Sequence, residues 1–331
     1  MTAIFLTHTP DMLANYYGPR ALAALRELGE VRLNETGKVL DARALAKAAA
    51  GCAIIVSDRQ TPGPAEFFPL APDLVAFLRV AVDIRNIDVE AASAQGVLVT
   101  HATPGFIASV AEQAIGFMID CGRNISASAA TYHAGRVPEA RMGRQLQGAT
   151  VGIIGYGVIG EYLAPLCVAL GMKVLVADPF KQVDEAGISQ VDFGELLARS
   201  DFVICLAIAN EQTENLMNAA AFVQMKRSAF FINLSRGNLV DEEALVAALD
   251  DKTIAGAALD VGRAQDQMPS PALAQRADVI ATPHSAGLTP DAAEHQAFDT
   301  VNQVKELLAG RMPPGAANPD AATRLARLKR G

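Results

Sequence analysis

The sequence has no apolar run of the roughly 18 residues that a helix needs to cross a bilayer, so no membrane span is expected. It lacks a basic segment ahead of an apolar one at its start. The stretch from Ala3 to Leu6 is too short for a signal peptide and reads as a first strand. Cysteine is scarce: Cys52, Cys121, Cys167 and Cys205 stand far apart in apolar surroundings, with no CxxC and no Cys/His ligand spacing. That speaks against a disulfide scaffold and a structural zinc, and for a reduced, cytoplasmic protein with no metal. Positive charge is short too, 28 Lys and Arg against 36 Asp and Glu, for a net charge of −8. Nucleic acid is therefore a poor partner, since phosphate-backbone binding needs basic patches to displace counterions. No internal repeat and no low-complexity linker is visible.

What is present favours packed domains. Hydrophobic residues make up 51% of the chain and charged residues 19%, and 331 residues favour two domains over one. Short apolar runs predict strands at 3–7, 53–57, 77–82, 97–100, 150–154, 173–177, 202–207, 229–234, 254–259 and 279–281. Helical periods lie between them, for example at 21–28, 107–118, 241–249 and 291–308. This alternation implies parallel sheets covered on both faces, and the strands are too many for one comfortable sheet. Seams near 101–105 and 287–290 divide the chain into 1–100 plus 288–331 and 101–287, with the last helix free to return to the first unit. The tail 324–330 carries four basic residues. It reads as a solvated helix end, a polyanion contact being the alternative.

The strongest local signal is Gly155-Tyr156-Gly157-Val158-Ile159-Gly160. It follows a strand, opens a helix over 161–170 and is succeeded by a second strand that Asp178 ends, 23 residues after Gly155. This is the βαβ setting of a dinucleotide fingerprint. Gly155 permits the tight turn, Gly157 lets backbone approach a pyrophosphate, and Gly160 allows close helix–strand packing. The helix N-terminus offers free N–H groups near Val158 and Ile159. Asp178 can accept from the adenosine ribose hydroxyls, and its charge repels a 2′-phosphate. NAD is thus favoured over NADP, although Lys181 lies close by.

Several blocks resemble the D-isomer-specific 2-hydroxyacid dehydrogenase family. They are Val110-Ala111-Glu112, the fingerprint itself, Asn233-Leu234-Ser235-Arg236-Gly237 running on to Val240-Asp241-Glu242, Ala257-Ala258-Leu259-Asp260-Val261, and Thr282-Pro283-His284-Ser285-Ala286-Gly287. Order and spacing match from about residue 80 to Pro319. The resemblance implies an α/β fold of two Rossmann-like, doubly wound parallel-sheet domains, with an NAD-binding domain (101–287) inserted in a discontinuous substrate domain (1–100 plus 288–331). It implies NAD-dependent hydride transfer on a small D-2-hydroxy acid or its 2-keto acid, in a cleft that domain motion closes.

Arg236 follows a strand and can hold a carboxylate in bidentate fashion; the resemblance makes it the substrate arginine. His284 also follows a strand, and the resemblance makes it the general acid/base. His8, His101, His133 and His295 lie in no comparable constellation and read as loop or surface residues. By resemblance Asp260 contacts the nicotinamide carboxamide, a strand-end cap being the alternative, and Leu234, Ser235 and Ser285 line the cofactor. The apolar helix 107–121 falls where relatives dimerise, implying a homodimer, with burial inside one subunit as the alternative.

The sequence departs from the family at three places. Relatives pair the histidine with a glutamate five residues after the aspartate, where this chain has Gln265. Either Asp266 substitutes through a loop shift, or Gln265 faces His284, as in formate dehydrogenases. A glutamine stabilises an imidazolium much less than a glutamate does, so Gln265→Glu is expected to move the acid-favouring limb of the pH profile upward. The carboxylate loop, Gly-Val-Gly in relatives, reads Ala81-Val82-Asp83. Backbone donors at Val82 and Asp83 remain, while the Asp83 side chain either pairs with Arg85 or selects an unusual substrate. Arg59 falls where some relatives bind a second acidic group, a surface role being the alternative. Leu206-Ala207-Ile208 replaces a His-x-Pro segment and is expected to change packing along the cofactor edge. A non-catalytic, NAD(H)-sensing binding protein is the competing class.

Overall fold

Successive residues of a strand point to opposite faces of its sheet, and here both faces are apolar. In the computed structural model, which describes residues 2–328, the chain divides into two compact units: Met1–Phe106 with Thr289–Gly331, and Ile107–Leu288. The first runs through β1 (Ala3–Leu6), α1 (Pro10–Tyr16), α2 (Pro19–Leu28), β2 (Glu30–Leu33), α3 (Ala42–Ala48), β3 (Ile54–Ser57), β4 (Ala76–Arg79), α4 (Val89–Ala94) and β5 (Leu98–Thr100). Its strands are all parallel, in the order β2-β1-β3-β4-β5. Ile4, Leu6, Ile54, Val56 and Leu78 pack on one face with Leu25 of α2 and with the last helix of the chain. Phe5, Ile55, Phe77 and Val99 pack on the other with Leu45 of α3 and the pair Phe67–Phe68.

The second unit holds α5 (Ile107–Arg123), α6 (Ile125–His133), β6 (Thr150–Ile154), α7 (Val158–Ala169), β7 (Lys173–Ala177), β8 (Ile188–Gln190), α8 (Phe193–Arg199), β9 (Phe202–Cys205), α9 (Ala219–Gln224), β10 (Phe230–Asn233), α10 (Glu242–Asp250), β11 (Gly256–Leu259), α11 (Pro271–Ala274) and β12 (Val279–Ala281). Its seven parallel strands are ordered β12-β11-β10-β9-β6-β7-β8. From β6 the chain winds outward through β7 to β8, then returns to β9 on the other side of β6 and winds to β12. The direction of winding reverses between β6 and β9, the place where open α/β sheets bind ligands at the carboxyl ends of their strands. The final helix, α12 (Pro290–Leu308), belongs to the first unit. Thr289 caps it by accepting from the Ala292 amide, and Ala297, Val301, Val304 and Leu307 face the core at helical spacing.

Four sequence expectations need correction. The strand expected at 77–82 ends at Arg79, so Val82 and Asp83 are loop residues. Two strands were not anticipated, β2 and β8, both at sheet edges. Of the two readings for His8, the loop holds and the surface does not: it follows β1 in a loop but is 2% exposed, with its ring edge-on to Tyr17. The basic tail is not a solvated helix end in its described part. The buried Arg324 guanidinium donates to the carbonyls of Ala71 and Leu74, and Arg327 donates to that of Pro72. Lys329 and Arg330 lie outside the described residues.

Candidate active site

The fingerprint glycines differ in what surrounds them. Gly155 has φ +89, and a Cβ there would stand 2.7 Å from the backbone of Ala207, so only glycine lets the β6 exit cross the β9 exit this closely. At Gly157 a Cβ would meet nothing within 4 Å. Gly157 is the N-cap of α7, and the amides of Val158 and Ile159 open the helix beside that free space. A glycine flanked by unpaired helix-start amides fits a pyrophosphate. At the end of β7, Asp178 accepts from the amides of Tyr156 (2.7 Å), Phe180 (2.8 Å) and Lys181 (3.1 Å). Burial opposes its ionisation, but these backbone donors outweigh burial and hold the carboxyl below its usual range. The Lys181 ammonium meets the Glu161 carboxylate of α7. Leu234 is buried, and the Ser235 hydroxyl donates to the Ala207 carbonyl at 2.6 Å, joining the β10 exit to the β9 exit beside Gly155.

Arg236, Asp260 and His284 leave three adjacent parallel strands, β10, β11 and β12. The strands end on one rung, where Asn233 pairs with Leu259 and Leu259 with Ala281. Strands lie about 4.8 Å apart, so the backbones bearing Arg236 and His284 leave the sheet roughly 10 Å from each other. Asn233 fixes the first turn: its amide donates to the Arg236 carbonyl and its Oδ1 accepts from the Ser235 amide. The half-buried Arg236 guanidinium donates to the Ser235 carbonyl at 2.8 Å. The next residue, Gly237, lies against Gly262; a Cβ on it would stand 2.1 Å from the Gly262 backbone. Main chain thus touches main chain where the Arg236 turn meets the loop carrying Gln265 and Asp266. Arg263 fixes that loop by donating to the carbonyls of Val240 and Asn238 and pairing with Glu214.

Asp260 is 1% exposed. Its Oδ1 accepts from the Thr282 hydroxyl (2.5 Å), the Ser285 amide (2.8 Å) and the Gln113 side chain (3.3 Å), and its Oδ2 from the Ala286 amide (3.0 Å). Four donors fill about the four lone-pair sites of a carboxylate. These contacts clamp the His284–Ser285 turn. The same clamp holds His284 at φ 52, with its amide on the carbonyls of Asp260 and Thr282. Left-handed backbone is uncommon outside glycine and is held here by its surroundings.

The two anticipated partners of His284 are both side chains, and neither makes the contact. His284 Nδ1 lies 2.7 Å from the backbone carbonyl of Asp266. The cause is the turn at 265–267, where Asp266 (φ 55) and Gln267 (φ 59) are left-handed, directing the carbonyl at the ring while the side chains of Gln265 and Asp266 are exposed. A carbonyl only accepts, so Nδ1 carries the hydrogen and Nε2 is the atom left to exchange a proton.

The first unit has its own polar cluster at the carboxyl ends of β1, β3 and β4. Arg79, fully buried, donates to the carbonyls of Asp58 and Thr61 and to Asn86 Oδ1, tying the β3 exit to the loop after β4. Burial lowers its pKa to about 10, against the nearby Asp58 and Asp83 charges. Burial also opposes ionisation of Asp58, but the hydroxyls of Thr61 and Thr7 outweigh it, and the carboxyl stays below its usual range. Of the two alternatives for Asp83, pairing is found: Arg85 binds it through Nε and Nη2. Val82 is exposed at the tip of that loop. Arg59 is exposed at the β3 exit, its carbonyl accepting from Asn86.

Sequence reasoning missed Gln113, Thr282, Asn233 and Arg263, the residues that hold the others in place. Gln113 had a signal: it directly follows the quoted Val110-Ala111-Glu112 block and is polar on an apolar helix. Among the described residues, no group of three His, Cys, Asp or Glu could hold a metal ion, and no helix is long and apolar enough to cross a membrane.

Comparison with known proteins gives concordant matches. The family model for the D-isomer specific 2-hydroxyacid dehydrogenase, NAD binding domain, matches residues 115–286. The chain is 34% identical over 305 residues to (S)-sulfolactate dehydrogenase of Chromohalobacter salexigens, covering 91% of this chain and 98% of that protein. It is 35% identical over 244 residues to D-3-phosphoglycerate dehydrogenase of Synechocystis sp., covering 72% of this chain and 44% of that protein. It spans about half the length of the phosphoglycerate dehydrogenases it matches, 44 to 58%. The solved structure of a D-lactate dehydrogenase from Sporolactobacillus sp. superposes with a TM-score of 0.81 at 29% identity, over 96% of this chain and 99% of that one.

Proposed function

Because the chain belongs to the D-isomer-specific 2-hydroxyacid dehydrogenase family, we propose that it interconverts a small D-2-hydroxy acid and its 2-keto acid. NAD, when bound, supplies or accepts the hydride. The turn Gly155–Gly160, with the amides of Val158 and Ile159, holds the pyrophosphate, Asp178 takes a ribose hydroxyl, and Leu234, Ser235 and Ser285 line the nicotinamide end. Arg236 binds the substrate carboxylate and polarises the carbonyl at C2. His284 gives a proton from Nε2 to the C2 oxygen during reduction and removes it during oxidation. The Asp266 carbonyl holds the ring through Nδ1 in both directions. In the first unit, the backbone donors at Val82 and Asp83 serve the substrate, and Arg59 a second acidic group. Pairing with Arg85 reduces the charge that Asp83 presents there.

The observation that carries this reading is the common rung. A guanidinium and an imidazole with its Nδ1 already engaged leave the parallel strands on either side of β11 at their carboxyl ends. The test is turnover of glyoxylate, hydroxypyruvate, pyruvate and longer keto acids with NADH and with NADPH. NADH-dependent reduction is expected, and His284→Asn and Arg236→Gln should each lower kcat/KM by about 10²–10⁴. NADH binding without turnover of any acid would make the protein a sensor, and NAD reduction by formate alone would make it a hydride-only enzyme.

We also propose a homodimer, with its contact moved from the expected place. The apolar side of α5 is buried within its own unit through Val110, Ala114, Phe117 and Met118. The following stretch is apolar and exposed at Ile125 (54%), Tyr132 (61%) and Met142 (99%), which suits a second copy of the chain. Four buried, unpaired thiols support a reducing, cytoplasmic setting.

A further inference from the structure

Asp178 is the residue from which NAD selectivity was read, yet three backbone amides already occupy its carboxylate. With about four lone-pair sites in all, it has room for one ribose hydroxyl. Those donors, and the Lys181 ammonium close enough to favour its charge, also weaken the repulsion it exerts on a 2′-phosphate. A lysine three residues beyond the strand-end acid is moreover the kind of cation that accommodates such a phosphate. Its backbone is fixed there. Gln190 donates to the carbonyls of Asp178 and Lys181 and accepts from the Val183 amide, so only the lysine side chain has a choice of partner.

That choice is made by Glu161. It lies in the first turn of α7, where the helix dipole favours an anion, and its carboxylate takes the Lys181 ammonium. The pair runs from the turn whose amides suit the pyrophosphate to the turn after β7 that holds Asp178, and so flanks the position of the adenosine ribose. We infer that Glu161 is a second determinant of NAD over NADP selectivity, acting by withholding Lys181 from a 2′-phosphate. Both side chains are more than 40% exposed. The pair therefore contributes little to stability, and changing it leaves the fold intact. The inference rests on the family's NAD-binding domain and not on turnover of any acid.

The experiment measures the dissociation constants of NADH and NADPH for the full chain, by calorimetry at low ionic strength. NADH should bind the unaltered protein more tightly. Glu161→Gln should tighten NADPH by roughly fivefold, the scale of one exposed charge pair, and leave NADH within about twofold. Adding Lys181→Ala to that variant should abolish the gain, and so should high salt. The inference is overturned if Glu161→Gln tightens both cofactors equally, if NADPH affinity does not move, or if the gain survives removal of Lys181. Absence of turnover with any acid would sink the proposed reaction while leaving these binding outcomes readable.

Discussion

His8 makes the first unit sensitive to mild acid. Its ring is 2% exposed, its Nδ1 has no hydrogen-bond partner, and it lies edge-on to Tyr17 at 5.1 Å. Burial dominates and lowers its pKa from 6.5 to about 4; the Asp58 charge works against this, and the Arg79 charge adds to it. In the unfolded chain the same ring takes up a proton near 6.5. Acid therefore favours unfolding throughout the interval between the two values. The contribution is complete above pH 6.5 and is lost as pH falls towards 4, about 3 kcal/mol in total. Native stability is about 5–15 kcal/mol, so this is a large share. The window is separate from that of Asp58, whose carboxyl is held below its ordinary value and protonates only at lower pH. The assay is urea unfolding followed by circular dichroism, from pH 7.5 to 4.5, for the unaltered chain and for His8→Gln. The variant should be less stable at pH 7.5 and should show a shallower decline, the two curves converging by about 2.5 kcal/mol at pH 4.5. Parallel curves would refute the reasoning, as would an NMR titration showing the His8 ring protonated at pH 5.5.

Two further outcomes follow from the second unit. Asp260→Asn sets an amide nitrogen against one of the donors that the carboxylate now satisfies; it should cost about 2–4 kcal/mol and lower Tm by roughly 5–15 °C in a calorimetric scan. Gln265→Glu and Asp266→Asn should both leave the acid limb of the kcat profile where it is, because the contact to His284 Nδ1 is made by main chain. A limb that moves in either variant would show that a side chain reaches the ring during turnover.

The legible parts of the fold were those whose residues state their own surroundings. The strands at 150–154, 173–177 and 279–281 read to the residue, as apolar runs broken off by glycine, aspartate or threonine–proline. The edge strands β2 and β8 did not. Glu30-Val31-Arg32-Leu33 alternates in exposure and Ile188-Ser189-Gln190 is mostly polar, so neither stands out from a loop. The positions of Arg236 and His284 after β10 and β12 were legible because each follows a readable strand within a distinctive block. The saturation of Asp260 was not, because its donors come from Gln113, Thr282, Ser285 and Ala286, and residues so far apart in sequence meet only through the sheet. The burial of His8 and of Arg324 was not legible. Polar side chains are seldom fully buried, and nothing local announces an exception.

The bond between His284 and the Asp266 carbonyl has a consequence for how such a protein tolerates genetic change. Every amino acid carries a carbonyl, so no single-codon replacement at that position can delete the acceptor; what drift can damage is the left-handed turn that aims it. Residue identity at 265 and 266 is thereby released from the proton-transfer step, while the backbone shape between Gly262 and Met268 is what inheritance must preserve.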